Sequence, residues 1–404
     1  MRRPLAKHPP WRQMVIISMV LPLMIVAAIL VFAWPTARIA PRDLPVGIVG
    51  ASPASQEVVA GLTRSEPGAF DFQLYPDEAS ARSAIADREV YGAFVIGGQG
   101  ITVLEASAAS PTVAQLLTTV GQRLASHAQA QAAASGRPGA AVPVKTVDLV
   151  PTSADDPRGL VFSSGMLPLT ICGIIMAAAV ALLLEFRPAW RQLLVLTIIS
   201  AGAGLGSYLI LQGFLGALPH EHLATWGSLS LTLLAVSSTT AGLIALIGPV
   251  GLGLSAALLI FIGNPFSGVT SAPQLLPTAV DYIGQWLPPG AGANLLRSTA
   301  YFNGNGAAGH LSVLIIWTVL GLAAIFVGHH APFRFAAHVA ANRSRPVPSA
   351  TGGDVVADTW SVPPPDTAGR TATPPRPTPG TRGMTDARQA AQIPGRHSAA
   401  SAAT

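Results

Sequence analysis

The sequence predicts an α-helical polytopic membrane protein with six transmembrane helices and an extracytoplasmic mixed α/β domain between helices 1 and 2. Of the 404 residues, 50% are hydrophobic and only 11% are charged, whereas soluble proteins carry about 25% charged residues. Only six Asp, Glu, Lys and Arg residues occur between positions 159 and 333. This composition argues against a soluble enzyme of this length and favours lipid as the solvent for much of the chain.

Uncharged apolar runs define the spans, because a membrane-crossing helix needs about 20 apolar residues. Residues 1–13 form a basic N-terminal tail, residues 14–34 form helix 1, residues 159–263 hold helices 2–5, and residues 310–330 form helix 6. Gly248-Pro249 separates the fourth span from a short fifth span of about Val250 to Ile262. The first run could instead be a signal peptide, but it exceeds the usual apolar core of about 7–15 residues, so an uncleaved anchor is predicted.

The charges next to the spans predict the orientation. The N-terminal tail carries four basic residues, the loop after helix 2 carries +1 and the segment from Arg334 onward carries +4, a total of +9. The segments on the opposite side total −4. Because Lys and Arg near span ends stay in the cytoplasm, both termini are predicted to be cytoplasmic and residues 36–158 extracytoplasmic, in the cell membrane. The net charge of +5 therefore reports orientation and gives no evidence for nucleic-acid binding.

Residues 36–158 alternate between strand and helix patterns and are long enough for a small domain. Strands are predicted at 44–50, 70–74, 90–96, 101–105 and 142–150, and helices after Ser52-Pro53, over 77–89 and after Ser110-Pro111. The glycine-rich turn at 97–100 could be taken for a phosphate loop. It joins two strands instead of opening a helix, so a hairpin turn is predicted.

No catalytic constellation stands out in the chain. Cys172 is the single cysteine, His127 is the only histidine of the outer domain, and its adjacent acids are typical of solvated turns and helix starts. There is no GxxxxGK[ST] motif for ATP hydrolysis. The prediction is therefore a protein that is not an enzyme, with no catalytic residue, cofactor or metal.

The residues from 334 to 404 are rich in proline and poor in large apolar side chains. Such a segment cannot bury enough surface to fold, so a disordered cytoplasmic tail is predicted. Its prolines could dock onto a partner domain, and its arginines could be attracted to anionic lipid.

Two features inside the predicted spans are unusual. Gly202, Gly204 and Gly206 form a small-residue face suited to close helix packing. The fourth span also carries consecutive hydroxyl side chains, Ser237, Ser238, Thr239 and Thr240. They either bond back to carbonyls of their own helix or line a path through the membrane.

The most distinctive stretch, residues 264–309, is too polar and too interrupted by Pro and Gly to span. It is predicted to be an extracytoplasmic interfacial or re-entrant segment, with Tyr282 and Trp286 at headgroup level. The Pro-Pro-Gly sequence turns the chain into a second short helix around Leu295 to Tyr301, and Asp281 could pair with Arg297. Its candidate motif residues are Asn264, Pro265, Ser267, Gly268, Pro288, Pro289, Gly290 and Arg297.

The order of these features resembles the membrane subunits of type-2 ABC exporters, especially the YhgE/Pip-like branch with a large domain after the first span. The layout of about residues 10–335 and the NPFSG, LP, LPPG, LR and YFNG sequences of residues 264–304 carry the resemblance. It implies that residues 185–192 meet an ATPase, with Arg187, Trp190 and Arg191 as candidate coupling residues. It also implies a separate nucleotide-binding ATPase subunit and a homodimer or heterodimer of membrane subunits in the lipid bilayer.

Two functions follow as hypotheses. The first is the permease subunit of an ATP-driven exporter that moves an amphiphilic or hydrophobic substrate outward, since no ion-coupling charge lies in the middle of a predicted span. The second is a membrane-anchored protein for cell-envelope assembly, secretion or reception, with no transport activity of its own. In the second case Arg187 and Arg191 would only set the topology.

Overall fold

The computed structural model describes residues 11–50, 52–97, 100–135, 142–183, 188–219 and 221–330. Five helices in this part of the chain are long and apolar enough to cross a membrane, in agreement with a multi-pass membrane protein. They are α1 (Trp11–Ala37), α5 (Leu160–Leu183), α6 (Ala189–Tyr208), α7 (His222–Ile247) and α11 (Ala307–His330). Helix α6 continues as a π-helical segment over Leu209–Phe214.

The fifth predicted span appears as a shorter apolar helix, Pro249–Gly263. It consists of α8 (Pro249–Ala256) followed by a π-helical segment, Ala257–Gly263. Gly248 separates it from α7 and has a positive φ of 68°, a conformation that is strained for residues with a side chain. The predicted break between the two helices is therefore confirmed. A sixth crossing of the membrane stays a prediction.

The segment between α1 and α5 folds around a five-stranded mixed sheet. Its strands are β1 (Leu44–Val49), β2 (Phe70–Tyr75), β3 (Gly92–Gly97), β4 (Gly100–Glu105) and β5 (Val144–Asp148), in the order β2-β1-β3-β4-β5. The three helices are α2 (Pro53–Ser65), α3 (Glu78–Ala86) and α4 (Pro111–Ala134). Ser52 and Ser110 accept hydrogen bonds from the first turns of α2 and α4, with proline next in each case. Strands β3 and β4 are antiparallel and Ile96 pairs with Ile101, as the predicted hairpin requires, while residues 98 and 99 of its turn lie outside the described ranges.

The two faces of the sheet are covered differently. Helices α2 and α4 cover one face, where Val46, Ile48 and Phe94 pack against Leu117 of α4. The other face carries α3, and its core includes Ala81 and Ile85. That second core continues without a break into the membrane helices, where its members include Phe162, Leu229, Leu296 and Tyr301. The sheet and the helix bundle therefore share one hydrophobic core.

Helix α7 is the centre of the bundle, because α5, α6, α10 (Pro288–Tyr301) and α11 all pack on it. Small residues permit the close contact with α11: a Cβ added to Gly321 would lie 2.5 Å from the backbone carbon of Ser238. Of the predicted glycine face on α6, only Gly204 meets a neighbour, Ser230 of α7, whereas Gly202 and Gly206 face open space. Small residues therefore permit close backbone approach at two places, between α7 and α11 and between α6 and α7 at Gly204.

Candidate functional site

The motif segment after Gly263 folds into a helical hairpin, α9 (Thr278–Gln285) followed by α10. The Asn264–Gly268 sequence forms a tight turn in which the Ser267 hydroxyl donates to the Asn264 carbonyl (2.6 Å). The backbone carbonyl of Ser267 in turn accepts from the Gln285 amide (3.2 Å). Gly284 is required for this contact, since an added Cβ would lie within 1.8 Å of the Phe266 carbonyl oxygen. The turn thus holds the end of α9 against the hairpin base.

The tip of the hairpin reaches far along the membrane-length helices. The Trp317 indole donates to the carbonyl of Trp286, at the turn between α9 and α10 (2.7 Å). Trp317 lies ten residues into α11, or about 15 Å from its start at 1.5 Å per residue. At the first turn of α10, Ala291 packs in one cluster with Ala235, which lies halfway along the 26-residue helix α7. The tip of the hairpin therefore lies about halfway along α7 and well inside α11.

Helix α10 is buried along its whole length of 14 residues, although its sequence is not strongly apolar. Its contacts with α7 include polar ones: the Thr299 and Ser228 hydroxyls are hydrogen-bonded at 3.1 Å, and Gly292 leaves room for Thr232. At its end, the Tyr301 hydroxyl donates to the Ala217 carbonyl (2.6 Å). The expected short helix around Leu295 thus begins earlier, at Pro288, and is enclosed by protein.

Helix α9 provides the outer surface of the hairpin. Tyr282, Ile283 and Trp286 are exposed, and their position at headgroup level stays a prediction. Pro288, Pro289 and Gly290 are all buried, and the added Cβ of Gly290 would lie 2.2 Å from the Gly284 carbonyl oxygen. The Pro-Pro-Gly sequence consequently allows α10 to fold back closely on α9. Pro also suits the first helical turn, where its missing N–H is not needed.

Two arginines meet at this hairpin, and both contact Asn294. Arg297 is 3% exposed and donates to the Val269 carbonyl (3.2 Å) and to Asn294 Oδ1 (3.5 Å). Its guanidinium lies 4.9 Å from the centre of the Phe162 ring, a cation–π contact. Asn294 is held in turn by donating to Gln285 Oε1 (2.7 Å). The amide therefore links the two helices of the hairpin and the arginine.

The second arginine, Arg88, comes from the sheet domain and follows α3. It donates to the Asn294 carbonyl and to Asn294 Oδ1, each at 3.1 Å, and to the Ser298 hydroxyl. Its guanidinium lies 5.3 Å from the centre of the Phe302 ring. Arg88 has a positive φ of 62°, which is unfavourable for a residue with a side chain. Arg88 therefore connects the sheet domain to α10 from a strained backbone conformation, in addition to the shared hydrophobic core.

Neither arginine is neutralised by a carboxylate in the described ranges, where Arg82–Glu78 is the single ion pair between side chains. The expected pairing of Asp281 with Arg297 is therefore wrong, because Arg297 turns toward Val269 and Phe162 instead. Burial lowers the pKa of Arg88 and raises the pKa of the neighbouring Tyr91 phenol, since charged forms are costly away from water. A cavity of about 280 Å³ adjoins Arg88, Tyr91, Asp281 and His310. The site thus holds two buried cations, of which Arg88 lines a small polar cavity.

The hydroxyl patch of α7 lies inside the bundle, and all four side chains are buried. Thr239 donates to the Ala235 carbonyl (2.7 Å) and Thr240 to the Val236 carbonyl (2.9 Å). Ser238 bonds back to Ala235, and Ser237 to Leu234, with Ser200 of α6 at 3.3 Å from Ser237. The geometry matches the back-bonding interpretation, and a pathway-lining role stays a prediction.

The candidate coupling residues lie at the start of α6. Trp190 and Arg191 are exposed, and the Arg191 guanidinium lies 5.3 Å from the centre of the Trp190 ring. Arg187 lies outside the described residues, as do the tail of residues 334–404 and the first ten residues. Trp190 and Arg191 are therefore exposed in the part of the chain that the structure describes, which does not include residues 184–187 before them.

No group of three or more His, Cys, Asp or Glu side chains suited to a metal occurs within the described ranges. Arg88, Asn294 and Ser298 are site residues that sequence reasoning did not find. Arg88 follows a polar helix, where a charge is ordinarily solvated, and only its left-handed backbone distinguishes it. The signal in the sequence was indirect: Asn294 and Ser298 flank the motif residue Arg297 at helical spacing, on a segment already recognised as unusual.

Comparison of the chain with protein-family models, with curated proteins and with solved structures gave no significant match.

Proposed function

We propose that this protein is the permease subunit of an ATP-driven exporter in the cell membrane, which moves an amphiphilic or hydrophobic substrate outward. In this proposal six spans place both termini in the cytoplasm and residues 36–158 outside. A separate nucleotide-binding ATPase supplies the energy, and two membrane subunits form the path. The resemblance to type-2 ABC exporters belongs to the same proposal.

The observation that carries the proposal is the hairpin of α9 and α10. A membrane anchor needs only spanning helices, whereas short interrupted helices at membrane depth occur where they are buried in protein or line a cavity, as in transporters. Helix α10 is fully buried, packs on α7 through hydroxyl groups and carries the buried Arg297. An ionisable residue in such a position is costly and is typical of function.

The shared core favours this function over the rival one. A receptor domain on an anchor can fold and bind separately from its spans. Here one face of the sheet has a common core with the membrane helices, and Arg88 connects it to α10. A movement of α10 would therefore be transmitted to the sheet domain, which is what an exporter with a large outer domain requires.

The proposed contact with the ATPase involves Trp190 and Arg191. Both are exposed at the start of α6, and the aromatic ring with its neighbouring cation offers a compact surface for a partner. Helix α6 in turn packs along α7, the helix that α10 contacts. A force applied at Trp190 thus has a route of packed helices to the hairpin.

The test is purification of the tagged chain from its own membranes in mild detergent, with ATP hydrolysis and copurifying proteins as readouts. The proposal expects a P-loop ATPase in the eluate, with less of it recovered for Trp190→Ala/Arg191→Gln. The matched control is Lys145→Gln, an exposed cation of the sheet domain. Recovery of no ATPase, together with an unchanged efflux phenotype on deletion, would refute the proposal.

The second candidate function, a membrane-anchored envelope-assembly or receptor protein, predicts the opposite pattern. Changes at Arg187 and Arg191 would be silent, and the sheet domain alone would retain partner binding.

A further inference from the structure

A groove lies between α2 and α4, on the face of the sheet that these two helices cover. It has a volume of about 860 Å³, within the range of about 300–1,000 Å³ that small-molecule sites occupy. It lies on the face opposite to α3, away from Arg88 and α10. The groove is therefore separate from the hairpin site.

The floor of the groove is apolar. It is formed by side chains of both helices and of the strands between them, including Leu62, Phe70, Ile101, Val120, Leu124 and Val142. Leu62, Phe70, Leu124 and Val142 are only partly buried, so the apolar surface stays open to an occupant. Such a floor suits a hydrocarbon chain, because its burial removes apolar area from water.

The two walls differ in charge. The α4 wall carries Arg123 and His127, one helical turn apart and both exposed, and α4 contains no Asp or Glu at all. The α2 wall carries Glu57 and Glu66 together with Arg64. Among the described residues Arg123 makes no ion pair, so its guanidinium is available to a ligand. An acidic headgroup is attracted to the α4 wall and repelled by the carboxylates opposite.

We propose that this groove binds a single-chain anionic amphiphile, with its hydrocarbon chain on the floor and its acidic head beside Arg123 and His127. The inference rests on the proposed function, because it takes the bound amphiphile as the cargo class of the exporter. The binding site itself is defined by the sheet domain and is measured without ATP. Binding and transport can therefore fail independently.

The experiment uses the full-length protein in phosphatidylcholine nanodiscs. The probe is a palmitate derivative that carries a photoreactive diazirine in its hydrocarbon chain. After irradiation, labelled peptides are mapped by mass spectrometry and the signal on α2 and α4 is normalised to that on α1. Labelling at the groove that palmitate competes away, and hexadecanol does not, is the expected result. Label confined to the membrane helices, or equal competition by the uncharged alcohol, would overturn the proposal.

Two variants with matched controls sharpen the result. Gly61→Leu fills the groove without a clash, because an added Cβ at Gly61 meets nothing within 4 Å; it should reduce labelling about tenfold. Ala60→Leu, next to it but outside the groove lining, should change nothing. Arg123→Gln/His127→Gln should reduce labelling about two- to fivefold, and Lys145→Gln should not. Equal effects of test and control variants would refute the site.

If the groove labels as expected but no ATPase is recovered with the chain, the site stands and the exporter assignment fails. If an ATPase is recovered and the groove does not label, the exporter assignment stands and the cargo site fails.

Discussion

Helices α1 and α7 have similar lengths but opposite environments. The most apolar window of α1 has a mean hydropathy of 3.0 and none of it is buried in the protein, whereas that of α7 has a mean hydropathy of 1.8 and 56% is buried. In a water-soluble protein the more hydrophobic of two helices would instead be the more buried one. Because lipid is as apolar as leucine, packing in the bilayer depends on small residues and polar contacts, and α7 is rich in both.

The comparison extends to the hairpin. Helix α1 contacts the second π-helical segment, with Phe32 and Phe261 edge to face at 6.2 Å between ring centres. Helix α10, which is too short to span, is enclosed completely. A long apolar sequence is therefore typical of a helix that can face lipid, as α1 does. A sequence with polar residues and glycine is typical of a helix that other helices enclose, as they do α10.

The largest effect is expected where α7 and α11 touch. Gly321→Val would place side-chain atoms against the Ser238 backbone, which cannot move without shifting the helix. We expect a loss of about 3 kcal/mol of stability, seen as loss of monodisperse protein in detergent. Gly202→Val, on α6 with open space around it, is the control. Equal behaviour of the two variants would contradict the packing of α11 on α7.

A direct test of the comparison is one substitution in each helix. Leu233→Ala in α7 removes a side chain that is 1% exposed and should cost about 2–5 kcal/mol, because a cavity remains. Leu23→Ala in α1, which is 68% exposed, should stay within about 0.5 kcal/mol. Apparent unfolding temperatures in matched nanodiscs measure both. A larger effect for Leu23 would mean that α1 is enclosed by a second subunit.

Breaking the link between the sheet domain and α10 is expected to lower the stability by less than the preceding substitutions do, but measurably. Arg88→Ala removes three hydrogen bonds from a charged group and should cost about 2 kcal/mol. Arg82→Ala breaks the exposed pair with Glu78 and should cost less than about 1 kcal/mol. Faster proteolysis between the domain and the spans, for Arg88→Ala alone, would support the link; identical digestion of both variants would argue against it.

The smallest effect concerns Glu105 in the sheet domain. Burial raises the pKa of this carboxyl above its ordinary value of 4.5, although Thr118 donates a hydrogen bond to it. The folded protein therefore binds the proton more tightly, and this stabilisation is lost as the pH rises through the folded pKa. Glu105→Gln should raise the unfolding temperature slightly at neutral pH and not below pH 4.5. A gain that persists in acid would contradict burial as the cause, and Glu57→Gln on the surface is the control.

Much of the sheet domain follows from the sequence, because its signals are local. Ser52-Pro53 and Ser110-Pro111 mark two helix starts, and the alternation of Phe70 and Phe72 marks a strand. The shared core does not follow, since Ile85 and Leu296 reveal their neighbourhood only in the folded chain. The hairpin was recognised as unusual from its prolines and glycines. The position of its tip along α11 was not predicted, because it depends on the hydrogen bond that Trp317 donates to the Trp286 carbonyl.

The buried arginine of the hairpin illustrates the same limit. Opposite charges on one segment suggest that Asp281 and Arg297 could form an ion pair. In the fold the ring of Phe162 and the Val269 carbonyl take that place. Both come from other elements, so spacing along the chain could not indicate them.

The central claim is that the enclosed hairpin serves transport, and Arg297→Met tests it most directly. Burying a cation is costly, and Met keeps the length of the side chain and its contact with the Phe162 ring without the charge. Unfolding temperature and ATP hydrolysis are to be measured on the same preparation of the chain with its copurified ATPase. We expect an unchanged or higher unfolding temperature together with loss of ATP hydrolysis coupled to the chain. A lower unfolding temperature with a proportional loss of hydrolysis would contradict the claim and make Arg297 a structural residue only.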